Sequence, residues 1–225
     1  AHLYPFVPQA HKVDQEKHKG LHAIGKIVSE NSSLHNAATR LLRTSEWDFM
    51  AVYHDMIDHF CHSFMKYHPP KHPGVDPANY ELFKDAVTGA YIFQDMMLER
   101  TLNLIDKDTT VIVMSDHGFE SGDKRILNMP KVQAAPSLEH RQFGMFVACG
   151  PNIKENEKIY GLGLIDIGPT ILHHYGLPIG RDMDGKVNLD LFKEPAEVTY
   201  IDSWDDLPGD FAEIDKKEQT DVLSD

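Results

Sequence analysis

The chain has 225 residues and a formal net charge of −13, from 22 basic and 35 acidic side chains. This length is enough for one sizeable α/β domain with a buried core, and the 41% hydrophobic content is ordinary for a globular protein. The acidic balance argues against binding to nucleic-acid polymers or to membranes, and no apolar run is long enough to span a bilayer.

The N-terminal half of the chain is predicted to be mainly helical. Residues 20–44 have the apolar stripes of two helices, with a break expected near Asn31, Ser32 and Ser33. The short apolar run WDFMAVY at residues 47–53 predicts a buried strand. A proline-rich loop follows it, and residues 79–106 predict one long amphipathic helix.

The C-terminal half supplies three further apolar segments and an acidic end. Residues 109–114 and 143–148 predict buried strands, and residues 198–201 predict a last short strand. Residues 164–175 predict a helix in which Pro169 falls early, where proline is tolerated. The order of elements predicts an α/β fold with a mostly parallel sheet and helices on both faces. Residues 193–225 predict a solvated acidic tail.

Two cysteines, Cys61 and Cys149, do not make a disulfide framework. They favour a reducing compartment, so we expect a cytoplasmic location. Cys61 directly precedes His62 and could bind a metal, although a small buried residue is the simpler interpretation.

Carboxylate and imidazole side chains follow the first predicted strand, in the sequence HDMIDHFCH. Asp58 and His62 are four residues apart, so one helical turn would place them on the same face. Asp55 and His59 have the same spacing. The spacing alone therefore does not choose between the two pairs, and either could be an ordinary exposed ion pair.

The other two predicted strands carry similar side chains. Asp116 and His117 follow residues 109–114, where Gly118 permits a turn, and His140 precedes residues 143–148. Taken alone, Asp116 and His117 are typical of a turn. His140 lies beside Glu139 and Arg141, so alone it is typical of a surface charge cluster. Sites form beyond the carboxyl ends of strands in parallel α/β sheets, so we expect the ligand types to meet there.

The combined set of oxygen and nitrogen ligands predicts a metal centre. It suits zinc, manganese or iron better than calcium, which prefers oxygen alone. One catalytic zinc needs about three protein ligands, so a larger set predicts two divalent ions, about 4 Å apart. The five candidate ligands are Asp58, His62, Asp116, His117 and His140.

Four segments of the chain, in order, resemble successive blocks of the alkaline phosphatase superfamily. They are YHDMIDHFCH, VIVMSDHGF, EHRQFGMFVACGPNI and LIDIGPTILHHYGLPIGRDMDGKV. The chain is most similar to the type I phosphodiesterase and nucleotide pyrophosphatase group, in its branch of predicted phosphohydrolases and phosphomutases. The resemblance covers residues 45–192, and the preceding helices more loosely.

The resemblance implies specific roles for the candidate ligands. The family block of Tyr, Asp and a His four residues after it selects Asp58 and His62, counted from Tyr53. These two residues with His140 would form the second metal site, and Asp116 and His117 would belong to the first. Asp166, Pro169 and Thr170, and the closing Asp182, Asp184 and Gly185, match blocks with a structural role.

The chain departs from the family pattern at its N-terminal end. The family's first metal site also takes an aspartate after an earlier strand, and its nucleophile is a Thr or Ser at the start of the next helix. Neither is found before Asp58, so the catalytic nucleophile is unknown. We therefore expect residues 1–192 to be the C-terminal part of one domain, with its N-terminal portion removed, carried by a separate chain or lost.

The expected function is metal-dependent hydrolysis of a small phosphate ester, either a phosphodiester or nucleotide pyrophosphate or a phosphomonoester. Without the nucleophile and one metal ligand, the isolated chain is expected to be nearly inactive. The sequence also allows two other interpretations. The chain could belong to a phosphomutase or a sulfatase of the same superfamily, or it could be a noncatalytic remnant that binds a partner.

Overall fold

The computed structural model of the chain describes residues 3–16, 18–128 and 130–207. The chain divides into two units, Ala1–Pro151 and Asn152–Asp225. The helices of the first unit are α1 (Gly20–Thr44), α2 (Met56–Phe64), α3 (Pro77–Phe83) and α4 (Ala86–Leu102). Its strands are β1 (Val111–Met114), β2 (Gly118–Phe119), β3 (His140–Arg141) and β4 (Phe146–Cys149).

Helix α1 is continuous, so the predicted break at Asn31, Ser32 and Ser33 is wrong. The hydroxyls of Ser32 and Ser33 each donate to the carbonyl four residues earlier, at 2.6 and 2.9 Å, which satisfies them without opening the helix. The amide of Asn31 is buried and donates to the sulfurs of Met56 and Met97, at 3.4 Å each. The polar residues that suggested a break therefore have partners in the helical conformation.

Residues 47–53 do not form a strand, so that prediction is wrong as well. No strand among the described residues pairs with this segment. Phe49 and Tyr53 are 58% and 76% exposed. An apolar run becomes a strand only when a neighbouring backbone offers hydrogen bonds, and the described residues offer none here.

Helices α3 and α4 replace the single helix predicted for residues 79–106. Helix α3 begins earlier than predicted, because Asp76 caps it by accepting a hydrogen bond from the Asn79 N–H at 2.9 Å and Pro77 occupies its first turn. The helical path is interrupted at Lys84 and Asp85, before α4 begins. The prediction is therefore correct for the type of element and wrong for its continuity.

The core of the first unit lies where α1, α2 and α4 pack together with the segment before α1. Helix α2 buries one face in this core and turns the opposite face away from it. Full burial of a side chain such as Phe60 contributes about 1.5–3 kcal/mol to stability. The buried residues of α2 are Met56, Phe60, Cys61 and Phe64.

The strands predicted at residues 109–114 and 143–148 are present as β1 and β4, with shifted bounds. Their predicted burial is wrong, because the residues of this two-stranded sheet are half-buried or exposed. They pair antiparallel, with Met114 opposite Phe146. Strands β2 and β3 are also antiparallel, with Phe119 opposite His140. The mostly parallel sheet that we predicted is therefore absent from the described residues. Parallel pairing needs a crossover, usually a helix, and between β1 and β4 the described residues form only short strands and 3₁₀ turns.

The second unit contains α5 (Ile167–His174) and the parallel strands β5 (Ile179–Gly180) and β6 (Tyr200–Ile201). The predicted helix at 164–175 and the predicted strand at 198–201 are both present, with narrower bounds. Asp166 is buried and accepts hydrogen bonds from the backbone N–H groups of Gly163 and Lys186, both at 2.8 Å. These bonds lower the pKa of Asp166 and agree with a structural role for its block.

Glycine is required at position 185 because a Cβ atom there would meet the backbone carbonyl of Ile165. The predicted acidic tail at 193–225 is described only to residue 207, and residues 208–225 lie outside the described residues. Within the described ranges, no helix has both the length and the apolar character that crossing a bilayer requires.

Candidate metal centre

Helix α2 presents two Asp–His pairs, and the structure gives them different surroundings. Asp58 and His62 lie one turn apart, with 3.4 Å between Asp58 Oδ1 and His62 Nε2, and their side chains are 32% and 23% exposed. The Asp55 and His59 side chains form their own pair at 3.2 Å and are about half exposed. The pair that the resemblance selects is therefore the better buried of the two.

The β2–β3 ladder brings two further imidazoles to the same place. His140 lies in β3, and its Nε2 is 3.0 Å from His62 Nε2. His117 lies in the turn between β1 and β2, and its ring stacks on His140 with 3.6 Å between centroids and 13° between planes. Residues that are far apart along the chain thus meet beside α2.

Asp58 Oδ1 lies at the centre of this cluster. The Nε2 atoms of His62, His117 and His140 are 3.4, 3.7 and 3.7 Å from it. Oδ1 is buried and has no hydrogen-bond partner among the described residues. A buried carboxylate oxygen without a partner is costly, so this arrangement calls for a positive charge at the same point.

The orientation of the imidazoles fits a bound cation. His62 Nδ1 lies 2.7 Å from Glu139 Oε2, and His117 Nδ1 lies 3.1 Å from the carbonyl oxygen of Gly118. Both oxygens accept, so a hydrogen on each Nδ1 would satisfy these contacts and would leave Nε2 of a neutral ring facing Asp58 with its lone pair. Burial, and then the neighbouring His117 and His62, lower the pKa of His140, which favours its neutral form as well.

The distances also fit a small cation. Ligands about 2.0–2.1 Å from a tetrahedral zinc ion lie about 3.3 Å from one another. The distances among the Asp58, His62 and His140 ligand atoms are 3.0, 3.4 and 3.7 Å. These three residues form a candidate metal site, in which one ligand atom of each lies within 4.8 Å of the others.

Asp116 lies at the edge of this cluster. Its side chain is 62% exposed, Oδ1 accepts a hydrogen bond from the backbone N–H of His117 at 3.0 Å, and the same oxygen is 3.7 Å from His117 Nε2. The structure thus brings all five sequence-predicted ligands together, with Asp58, His62 and His140 closest to one another and Asp116 most exposed.

Cys61 is not part of the cluster. Its side chain is fully buried in the core. Burial first, and then the charges of Asp58 and Glu139, raise the pKa of the Cys61 thiol to about 12. The thiol stays protonated at neutral pH, and metals bind the thiolate, so the interpretation of Cys61 as a small buried residue is the better one.

Two residues of the site were not predicted as functional. Glu139 was assigned to a surface charge cluster, yet its side chain is only 13% exposed and contacts His62. Phe119 packs edge-on against His62, His117 and His140, with centroid separations of 5.0, 5.6 and 5.0 Å. Glu139 directly precedes the candidate ligand His140, and this position was a signal for a functional role. The sequence alone could not show that Glu139 contacts His62.

The cluster of one carboxylate and several imidazoles is therefore a candidate centre for a divalent metal. The family model described as type I phosphodiesterase / nucleotide pyrophosphatase matches residues 5–160, and the chain belongs to this family. The matched residues include the whole cluster but not the DIGPT and DMDG blocks. No curated protein and no solved structure matches the chain.

Proposed function

We propose that this protein is a metal-dependent hydrolase of small phosphate esters, either phosphodiesters and nucleotide pyrophosphates or phosphomonoesters. Family membership supports a phosphodiesterase or pyrophosphatase class. Asp58, His62 and His140 hold one divalent ion in this proposal, and Asp116 and His117 contribute to a second. Zinc is the proposed metal, with manganese or iron as alternatives, because the donors are imidazole nitrogen and carboxylate oxygen.

The single observation that carries the proposal is the state of Asp58 Oδ1. It is buried without a hydrogen bond among the described residues, and the Nε2 atoms of His62, His117 and His140 lie within 3.7 Å of it. Lone pairs that face one another repel, and a cation removes both this repulsion and the cost of the unpaired carboxylate.

Each side chain has a defined task in the proposed reaction. Asp58 supplies negative charge to the site, and the neutral rings of His62 and His140 supply nitrogen ligands without adding charge. Phe119 packs edge-on against both rings. When bound, the divalent ions supply positive charge to the phosphate oxygens and activate an attacking hydroxyl or water.

The attacking hydroxyl is not assigned to any residue of this chain. No Ser or Thr hydroxyl among the described residues is hydrogen-bonded to Asp58, His62, His117 or His140. The hydroxyl of Ser115, which directly precedes Asp116, accepts a hydrogen bond from the Met145 N–H at 2.9 Å. We therefore propose that the 225-residue chain binds metal but turns over an aryl phosphodiester slowly.

The test compares two matched aspartates of α2. Metal-free protein is titrated with zinc, and hydrolysis of bis-4-nitrophenyl phosphate is measured, for the natural chain, Asp58→Ala and Asp55→Ala. Asp55 has the same spacing to a histidine but lies on the exposed side of the helix. We expect Asp58→Ala to abolish tight zinc binding and any hydrolysis, and Asp55→Ala to keep both.

Equal zinc affinity for Asp58→Ala and the natural chain would refute the metal site. Absence of zinc binding by the natural chain would favour a noncatalytic protein instead. Rapid zinc-dependent hydrolysis by this chain would show that it contains the attacking group or that water attacks directly. The cytoplasmic location expected from the two cysteines stays a prediction.

A further inference from the structure

Glu139 contacts a candidate metal ligand although it belongs to a different element. Its side chain is 13% exposed, and Oε2 lies 2.7 Å from Nδ1 of His62, which is 77 residues away in the chain. We propose that Glu139 is a positioning residue that keeps the imidazole proton of His62 on Nδ1, so that the Nε2 lone pair faces Asp58. The inference rests on the proposed function for the identity of the group bound there.

The position of the proton decides whether His62 can act as a ligand. A neutral imidazole carries one N–H and one lone pair, and a metal ion binds the lone pair. If the proton moved to Nε2, the lone pair would point away from Asp58. A carboxylate that accepts from Nδ1 prevents this and makes the other nitrogen more basic, as in other carboxylate–histidine–metal arrangements.

The backbone holds Glu139 in place for this task. Its carbonyl accepts a hydrogen bond from the Glu120 N–H at 2.8 Å, which extends the β2–β3 ladder by one residue. Glu139 is followed directly by His140, whose Nε2 lies 3.0 Å from His62 Nε2. One short segment therefore supplies a ligand through His140 and orients another ligand through Glu139.

His117 provides an internal comparison for the role of Glu139. Its Nδ1 donates to a backbone carbonyl, that of Gly118, at 3.1 Å. No side-chain substitution removes that acceptor, whereas the acceptor for His62 is a replaceable side chain. Truncation of Glu139 should therefore change the tautomer of His62 and leave that of His117 as it is.

The experiment uses the full chain with ¹⁵N-labelled histidine, at a pH where imidazoles are neutral. Long-range ¹H–¹⁵N spectra of metal-free protein report which ring nitrogen carries the proton, with the His62 signals assigned by their loss in His62→Gln. Zinc affinity is then measured by titration. The variants are Glu139→Ala, Glu139→Gln, and Glu120→Ala as a control that removes the same charge nearby.

In the natural chain we expect the His62 proton on Nδ1. Glu139→Ala should give a mixed tautomer and bind zinc about 10–100-fold more weakly. Glu139→Gln keeps an acceptor oxygen and should restore the tautomer and most of the affinity. Glu120→Ala should match the natural chain in the tautomer, with at most a small loss of affinity from the removed charge.

The outcomes separate this inference from the proposed function. If the natural chain binds zinc and Glu139→Ala binds it equally with an unchanged His62 tautomer, the inference is wrong and the metal site stands. If the natural chain binds no zinc, the proposed function fails, and the metal-free spectra still test Glu139. If Glu139→Ala does not fold, a proton on Nε2 of His62 in the natural chain would by itself overturn the inference.

Discussion

His62 Nε2 lies 3.0 Å from His140 Nε2, although the two residues are 78 positions apart in the chain. The core packing of α2 sets the position of one ring, and the β2–β3 ladder sets the position of the other. Asp58 Oδ1 lies close to both nitrogens, at 3.4 and 3.7 Å. The scaffold thus holds the polar groups in a geometry that a cation would satisfy, which leads to the first two predictions.

Zinc should stabilise the folded chain through His62. A ligand at 100 times its Kd raises the free energy of unfolding by about 2.7 kcal/mol. We expect zinc to raise the Tm of the natural chain by several degrees, and a chelator to reverse the shift. His62→Ala should lose most of the shift, whereas His59→Ala, the exposed counterpart on α2, should keep it. Equal shifts for the two variants, measured by thermal unfolding, would contradict the assignment.

His117 should affect the number of bound ions more than the affinity of the first one. Its Nε2 is 3.7 Å from Asp58 Oδ1, but it lies outside the close group of Asp58, His62 and His140. If two ions bind, His117→Ala should lower zinc per chain from about two to about one, as measured by elemental analysis. An unchanged zinc content in His117→Ala would remove His117 from the ligand set.

Gly144 is predicted to be irreplaceable because it lies against the end of β1. A Cβ atom at this position would meet the backbone carbonyl of Ser115, just before Asp116 and His117. Gly144→Ala should lower the free energy of unfolding by about 1–3 kcal/mol and weaken zinc binding, because the crowded backbone must shift.

The control for that substitution is Gly25→Ala in α1, where an added Cβ meets nothing within 4 Å. Alanine is preferred over glycine in a helix interior, so Gly25→Ala should raise stability by about 1 kcal/mol. Urea unfolding measures both changes. A Gly144→Ala protein as stable as the natural chain would show that the strand end relaxes without cost.

Stability should fall at mildly acidic pH, in part because of His35. This side chain is buried, with no hydrogen-bond partner for Nε2 among the described residues. Burial, and then the charge of Arg100, lower the pKa of His35 in the folded protein below its ordinary value of 6.5. The unfolded chain therefore takes up a proton first as the pH falls, and the free energy of unfolding decreases below about pH 6.5.

His54 acts in the same direction, since burial and then His35 lower its pKa.

The contribution of His35 is measured by urea unfolding at pH 7.5 and 5.5 with chelator present, for the natural chain and His35→Leu. Leucine cannot be protonated, so the His35→Leu variant should lose less unfolding free energy between the two pH values than the natural chain loses. A loss as large as that of the natural chain would show that His35 does not contribute.

Much of the candidate site could be predicted from the sequence. Asp58 and His62 share a helix face because of their spacing, and Asp116 and His117 follow an apolar strand, β1. Local periodicity and strand composition determine these features, and they depend little on the rest of the chain. The family resemblance then selected Asp58 and His62 over Asp55 and His59. In the structure, the selected Asp58 and His62 lie beside His140.

Other features depended on partners that are distant in sequence. Asn31, in the middle of the continuous helix α1, donates to the sulfurs of Met56 and Met97. The apolar residues 47–53 find no strand partner among the described residues. The antiparallel pairing of β1 and β4 followed from the path of the connecting chain, which composition does not encode.

By itself, the sequence determined which residue types could bind a metal and on which local elements they lie. Only the tertiary structure decided that Glu139 contacts His62 and that Asp58 Oδ1 is buried without a hydrogen bond among the described residues. The physical reason is that periodicity describes neighbours within one element. Contacts across 77 residues depend on how the core and the strand ladders bring separate elements together.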